Sequence, residues 1–234
     1  MPYNQAGVFT VELKQLIEQN YPELNNIYNT SRLLMSCTDN AAHDFSHILR
    51  VTKLAMKIYN AEKVGNPSVI IASSLLHDVK RNAEDKKTNK MDHAEAGSIF
   101  ARDYLYKLGF SEDFIEKVSS CIFTHSYSRK REPEYIEGKI LQDADRLDAL
   151  GAIAIARVFN HNNGLNRKLY DPTLKPKQEY DGVSVSYLNH FFEKILKIEP
   201  DSFWTEKAKL IARKRYDYTR EFVCKFLREW YSIE

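Results

Sequence analysis

Apolar side chains recur along this chain at helical spacing, and no stretch alternates with the period of two that marks a strand. Val8, Val11, Leu13, Leu16 and Ile17 predict an amphipathic helix over residues 8–19, and Pro22 opens a second that runs to about residue 35. Thr38, Asp39 and Asn40 read as a turn. From Phe45 onward Ile48, Val51, Leu54, Ala55 and Ile58 fall on one helical face. Gly65-Asn66-Pro67 ends that helix and starts another, with Asn66 as N-cap and Pro67 at the first helical position. The helix over residues 68–78 is apolar nearly all round, which predicts a central, buried position. It ends on His77-Asp78, an imidazole and a carboxylate side by side where the helix leaves the core.

Residues 80–92 are polar and read as a loop. Helices are predicted over 93–108 and 112–124, with Gly109 ending the first and Ser111 capping the second. A basic loop over 126–133 leads to a helix from about residue 134, which the pattern carries through 140–145 and on into the small-residue run 150–156. Residues 161–183 hold no periodic pattern, and a connection of that length is expected to be functional, such as a lid. Two more helices are expected over 184–198 and 202–232. The fold class predicted is all-α: one domain over 1–234, a helical core over about 40–160 and a C-terminal helical extension over about 184–232.

Composition sharpens this picture only in places. Of 234 residues 43% are hydrophobic and 28% charged, with only 8 glycines and 7 prolines, as for a globular helical protein. The net charge of +2 does not suggest a nucleic-acid binder, and Arg129-Lys130-Arg131 and Arg213-Lys214-Arg215 read first as solvated faces. Cys37, Cys121 and Cys224 are too few and too scattered for a disulfide framework or a thiolate zinc site, and are expected in the core. No apolar run reaches the length of a membrane span and the N-terminus does not read as a signal peptide, so a cytoplasmic protein with no membrane partner is expected.

The histidines change the picture more. Five of the seven, His43, His47, His77, His93 and His125, lie between positions 43 and 125, and two of them are followed directly by aspartate. A lone histidine on an apolar helix is usually a hydrogen-bonded core residue. A buried carboxylate beside an imidazole, however, is costly unless a cation or hydrogen bonds compensate, and a metal ion supplies that compensation. Asp143, Asp145 and Asp148 lie downstream as further oxygen donors. The motifs of zinc proteases, phosphate loops, nucleophile elbows and dinucleotide folds are absent.

These residues resemble the HD-domain superfamily of metal-dependent phosphohydrolases. The likeness rests on His47-Ile48-Leu49-Arg50-Val51, on Leu75-Leu76-His77-Asp78-Val79 and on Ala144-Asp145-Arg146-Leu147, in the superfamily order H…HD…D. A narrower likeness, to small hydrolases that include nucleoside triphosphate pyrophosphohydrolases, rests on residues 43–51 and 141–152. The resemblance implies an all-α core holding a divalent ion (Mn, Mg, Co, Zn, Ni or Fe) on His47, His77, Asp78 and Asp145. His43 stands one turn before His47 and is expected to cap the helix or face substrate, with a ligand role as the alternative, and Asp143 competes less well with Asp145.

What the resemblance implies about chemistry is hydrolysis of a phosphate ester or anhydride in a small phosphorylated metabolite, a nucleotide first of all. Asp78 would orient or deprotonate the water, and His125 or His93 would protonate the leaving oxygen. Arg50, Lys80, Arg81 and Arg146 are the candidate phosphate contacts, with Arg129 and Lys130 on a loop; Arg50 and Arg146 serve equally well as ion-pair partners of motif carboxylates. Because other superfamily members use extra histidines for a second ion, His93 and His125 leave two metals open, while the narrower likeness implies one. A di-iron oxygenase and a non-enzymatic ligand- or partner-binding module with a structural metal are the alternatives. Trp204, Tyr216, Tyr218 and Trp230 on the C-terminal helices are expected mainly in the core.

Overall fold

A computed structural model of the protein describes residues 6–36, 44–81, 92–160 and 167–233, with side chains from Glu12 onward except that of Ser128. His43, Cys37 and the turn expected over 38–40 lie outside the described residues, as do most of the loop over 80–92 and residues 161–166. The described residues form ten α-helices and no sheet, with a single isolated bridge between Lys168 and Ser186. The chain divides into two compact units, Met1–Asp145 and Arg146–Glu234.

In the first unit, α1 spans Ala6–Asn20 and α2 spans Asn25–Ser36, after a short 3₁₀ turn over Pro22–Leu24. Helix α3 covers Phe45–Glu62. It begins because the Asp44 carboxylate accepts the His47 backbone N–H at 3.2 Å, and it ends at Lys63, whose φ of 57° no helix continues. Helix α4 spans Pro67–Leu76, with Asn66 accepting the Ser68 N–H at 2.9 Å and Pro67 preset for the first turn. Every residue from Val69 to Leu76 is buried, so α4 is the central helix, packed against α2, α3 and α6. Each large aliphatic side chain buried this way contributes about 1.5–3 kcal/mol. On α2, Ser31 donates its hydroxyl hydrogen to the Leu75 carbonyl at 2.5 Å, fixing the last turn before His77.

Helices α5 (His93–Lys107) and α6 (Glu112–Thr124) pack against each other, joined through Gly109 at φ 78°, where a side chain would be strained. Asp92 caps α5 and Ser111 caps α6. Gly97 lets α5 close onto its neighbours: a Cβ there would stand 3.3 Å from the His77 carbonyl oxygen and 3.3 Å from Ile122. Helix α7 spans Ile136–Asp148 and carries Gln142, Asp143 and Asp145.

The helix expected to run unbroken from about 134 to 156 is in fact two. It stops at Asp148, and α8 starts at Ala152. Gly151 turns to φ 85° and donates its N–H to Thr219 Oγ1 at 2.9 Å, while Arg215 donates to the Leu147 carbonyl at 2.5 Å. Those contacts satisfy groups that helix continuation would otherwise have used. The helix expected over 184–198 is shorter too. Ser186 caps α9 (Tyr187–Glu193), and Lys194 at φ −133° breaks it before a 3₁₀ turn over Ile195–Lys197.

Helix α10, Glu206–Tyr231, completes the second unit. Its buried residues are Ala208, Ala212, Thr219 and Val223, a small-residue stripe that lets it pack closely. The expectation of a core role for Cys224, Tyr218 and Trp230 fails for the same reason: they lie off that stripe and are exposed, as is Trp204 on the preceding segment. No described helix is long and apolar enough to cross a membrane.

Candidate metal centre

Three segments of the first unit deliver the site. The first turn of α3 presents His47, the turn leaving α4 presents His77 and Asp78, and α7 presents Asp145. His47 Nε2 lies 3.3 Å from His77 Nε2, 3.4 Å from Asp145 Oδ1 and 3.6 Å from Asp78 Oδ2. His77 Nε2 is 3.9 Å from Asp78 Oδ2 and 4.0 Å from Asp145 Oδ1. The four residues implied as ligands thus converge through one atom each. His47, His77 and Asp78 are almost wholly buried, while 28% of the Asp145 side chain remains open.

The other Asp78 oxygen faces a second set. Oδ1 stands 3.5 Å from His125 Nε2 and 3.6 Å from His93 Nε2. His93 comes from the first residue of α5, and His125 follows the end of α6. Both are buried, and their rings stack edge to face at 5.2 Å between centroids. Two groupings could hold an ion among the described residues: His47, His77 and Asp145, and His77, Asp78 and His125.

The electrostatics fit a cation. The His77 Nδ1–H donates to the Ser74 carbonyl at 2.8 Å, which leaves Nε2 with its lone pair toward the cluster. Burial pulls the His77 pKa down to about 4 despite the neighbouring carboxylates, so the ring is neutral and ligand-ready near pH 7. His125 goes the other way. Burial lowers it, but the Asp78 and Asp145 carboxylates outweigh burial and raise it above the ordinary histidine value. Burial would raise Asp145, yet its hydrogen bond with His47 and the charges of His47 and His77 hold it well below the usual carboxylate range. His125 Nε2 is buried and has no well-formed hydrogen bond, with Asp78 Oδ1 3.5 Å away. An orphaned imidazole nitrogen facing a carboxylate and other imidazoles is what a nitrogen- and oxygen-binding divalent ion would satisfy.

The four candidate phosphate contacts take different places. Arg81 turns into the cluster: its Nη1 donates to both Asp78 oxygens at 3.2 Å and to His93 Nε2 at 3.2 Å. Arg50 donates to Ser46 Oγ at 2.8 Å on the first turn of α3, and Lys80 lies over the Phe100 ring at 4.4 Å. Arg146 takes the other place considered for it, as a partner of neighbouring groups. It is 2% exposed, stacks on Phe203 at 4.0 Å and donates to the carbonyl and hydroxyl of Ser202, so its charge is spent within the second unit. Of the downstream acids, Asp143 is buried and Asp148 forms an ion pair with Arg157 at 2.7 Å. Cys121 is buried and burial pushes its thiol pKa up, which rules it out as an activated thiolate.

The sequence missed a strut behind the second set. Arg131 donates to Asp92 Oδ2 at 2.7 Å and to the Phe123 carbonyl at 3.1 Å, and stacks on the Phe123 ring at 3.9 Å. From α7, Gln142 donates to the carbonyls of Thr124 at 2.9 Å and Arg131 at 3.3 Å. Asp92 immediately precedes His93 and Thr124 immediately precedes His125, so the strut fixes the backbone on which both histidines stand. Its partners are far apart in sequence and no local pattern announces them.

The HD domain family model matches residues 44–150, which hold every residue of this cluster. Over 189 residues the chain is 30% identical to the uncharacterized protein YpgQ of Bacillus subtilis, covering 79% of this chain and 83% of that protein. Among solved structures, a "predicted HD superfamily hydrolase" from an uncultured Thermotogales bacterium is 37% identical, with 93% of this chain and 98% of that one covered and a TM-score of 0.66. An HD-superfamily hydrolase from Bacillus thuringiensis is 34% identical, with 89% and 97% covered and a TM-score of 0.69. YpgQ itself, solved in complex with ADP, aligns at 26% identity over 89% of this chain and 95% of its own, with a TM-score of 0.67. The order His47, His77-Asp78, Asp145, its convergence on one buried point and these matches lead to one statement: this chain belongs to the HD-domain superfamily.

Proposed function

We propose that the protein is a metal-dependent phosphohydrolase acting on a nucleotide or another small phosphorylated metabolite. The observation that carries the reading is the division of the Asp78 carboxylate, with Oδ2 toward His47 and His77 and Oδ1 toward His93 and His125. The ADP held by YpgQ supports a nucleotide as the first substrate class to try.

His47, His77, Asp78 and Asp145 would hold the ion. A bound divalent cation supplies Lewis acidity, lowering the pKa of water and neutralising charge on phosphoryl oxygens. The residues around it do the rest. Asp78 Oδ1 is the acceptor for the proton of the attacking water, and its burial strengthens that role. His125 is the proton donor to the leaving oxygen, since the carboxylates beside it keep its ring charged to higher pH than an ordinary histidine. His93, 3.6 Å from the same Asp78 oxygen, shares the donor role. Arg129, half-exposed beside Asp92, offers positive charge to an incoming phosphate.

The test is a screen of nucleoside mono-, di- and triphosphates and sugar phosphates with Mn²⁺, Mg²⁺, Co²⁺ or no metal, reading phosphate and pyrophosphate release by malachite green with and without a pyrophosphatase. Metal-dependent release from at least one nucleotide is expected. If no metal supports release from any phosphorylated compound, the reading is wrong.

A further inference from the structure

The four donors of the cluster are not mounted alike. His47 stands in the first turn of α3, under the Asp44 cap, and His77 and Asp78 leave a wholly buried helix. Asp145 sits in the last turn of α7 and is the most open of the four, with 28% of its side chain exposed. The last turn of a helix has carbonyls without intrahelical partners, and it frays unless something else holds them. The aim of the Asp145 carboxylate therefore depends on what grips that turn.

The grip comes from α10, 68 residues later. Arg215, half-buried, donates to the Leu147 carbonyl at 2.5 Å, next to Arg146 in the turn that carries Asp145. The Leu150 N–H donates to the same carbonyl at 3.2 Å, a tightened closure in place of a further α turn. One turn on along α10, wholly buried Thr219 accepts the Gly151 N–H at 2.9 Å and donates to the Arg215 carbonyl at 2.8 Å, which ties the two holds together. Gly151 makes room for the Arg215 side chain. A Cβ there would stand 3.2 Å from Arg215 Cγ and 3.4 Å from Arg215 Cβ, and its φ of 85° is one that glycine adopts without strain. The guanidinium also brings positive charge to the negative end of the α7 dipole. Arg215 and Thr219 lie outside residues 44–150, the stretch that the family model matches, so the hold is supplied by the C-terminal helix.

We propose that Arg215 is a positioning residue for the metal centre, holding the last turn of α7 so that Asp145 keeps its aim at His47 and His77. The inference rests on the metal-centre reading above and deepens it, since it gives a helix outside the cluster a share in ion binding. Residues that orient a ligand without touching the ion change metal affinity by about 10- to 100-fold.

The test reads the Mn²⁺ affinity of ion-free protein from the paramagnetic resonance of unbound Mn²⁺, with no substrate present. Arg215→Ala is expected to weaken binding about 10-fold, and Arg215→Lys to recover part of that loss. Glu193→Gln disturbs the same unit at its bonds with Ser184 and Lys177, away from this corner, and should leave affinity unchanged. A double-mutant cycle separates positioning from general loosening. In an Asp145→Ala background Arg215→Ala should cost nothing further, because the group it aims is gone. If Arg215→Ala does not fold, Thr219→Val removes the Gly151 hydrogen bond while keeping the side-chain shape, and should show a smaller loss with the same dependence on Asp145. Wild-type affinity in these variants, equal losses with and without Asp145, or an equal loss in Glu193→Gln would each overturn the proposal while leaving the metal centre standing. Failure of wild type to bind Mn²⁺ would overturn the metal centre and this inference with it.

Discussion

Both units bury charged and polar side chains, but they treat them differently. In the second unit the buried acids Asp148 and Glu193 and the hydroxyl of Thr219 have matched partners. Asp148 is 1% exposed and pairs with Arg157 at 2.7 Å. Glu193, equally buried, takes hydrogen bonds from Ser184 Oγ and from the Lys177 backbone N–H. Buried Thr219 accepts from the Gly151 N–H and donates to the Arg215 carbonyl. In the first unit the buried groups point like at like: two imidazole nitrogens 3.3 Å apart, two carboxylates on the same imidazole, and His125 Nε2 without a well-formed hydrogen bond. Satisfied polar burial holds a fold together. Unsatisfied polar burial, maintained at a cost of about 1–3 kcal/mol per group, marks a place waiting for something.

This contrast can be broken by substitution, and the largest effect belongs to Asp78. Asp78→Ala should abolish metal retention and reduce turnover by about a thousandfold or more, as for a group that touches the reacting atoms. Its ion-free stability in urea should change by no more than about 1 kcal/mol, because Arg81, the partner it leaves, is one-third exposed and can turn to water. Asp148→Ala should do the reverse. It should cost about 3–5 kcal/mol in the same urea titration by stranding buried Arg157, with turnover per folded molecule retained. Equal urea midpoints for the two variants would erase the distinction between the units.

A smaller effect sharpens it. Metal at a hundred times its Kd should stabilise wild type by about 2.7 kcal/mol and leave Asp78→Ala where it was, read as the shift in thermal midpoint on adding and then chelating Mn²⁺. Smaller still is the strut. Arg131→Ala should lower turnover about 10- to 100-fold with the ion count unchanged, since it touches neither ligand set and acts through the backbone before His93 and His125.

The subtlest test is titration. In ion-free protein, imidazole resonances should show His77 protonating far below its ordinary 6.5, near 4, and His125 above 6.5. The signs for stability are opposite. The depressed His77 pKa contributes stability that is present above 6.5 and is lost as pH falls toward 4. The raised His125 pKa contributes stability below 6.5 that is lost as pH rises through its folded value. Both histidines titrating on the same side would mean that the Asp78 carboxylate does not separate their environments.

Much of this was legible in the residues. Asn66-Pro67 and an unbroken apolar run announce α4, and the run's ending on His77-Asp78 announces the site, because local signals set both. The choice of Asp145 over Asp143 came from the motif, and the structure brings Asp145 against His47. Two things escaped. The break between α7 and α8 depends on Arg215 and Thr219, which reach Leu147 and Gly151 from far along the chain. The inward turn of Arg81 and the Arg131 strut depend on which side chains face which, and composition cannot separate a basic residue that meets phosphate from one that braces a carboxylate.

Helix α4 has one more consequence. All of its residues from Val69 to Leu76 are shielded from water, and its backbone amides are expected to exchange with deuterium only when the whole unit opens. His77 and Asp78 therefore hang from the part of the fold that breathes least. Ligands mounted there keep their spacing through the fluctuations that loosen loops and helix ends, so the centre is assembled before any ion or substrate arrives.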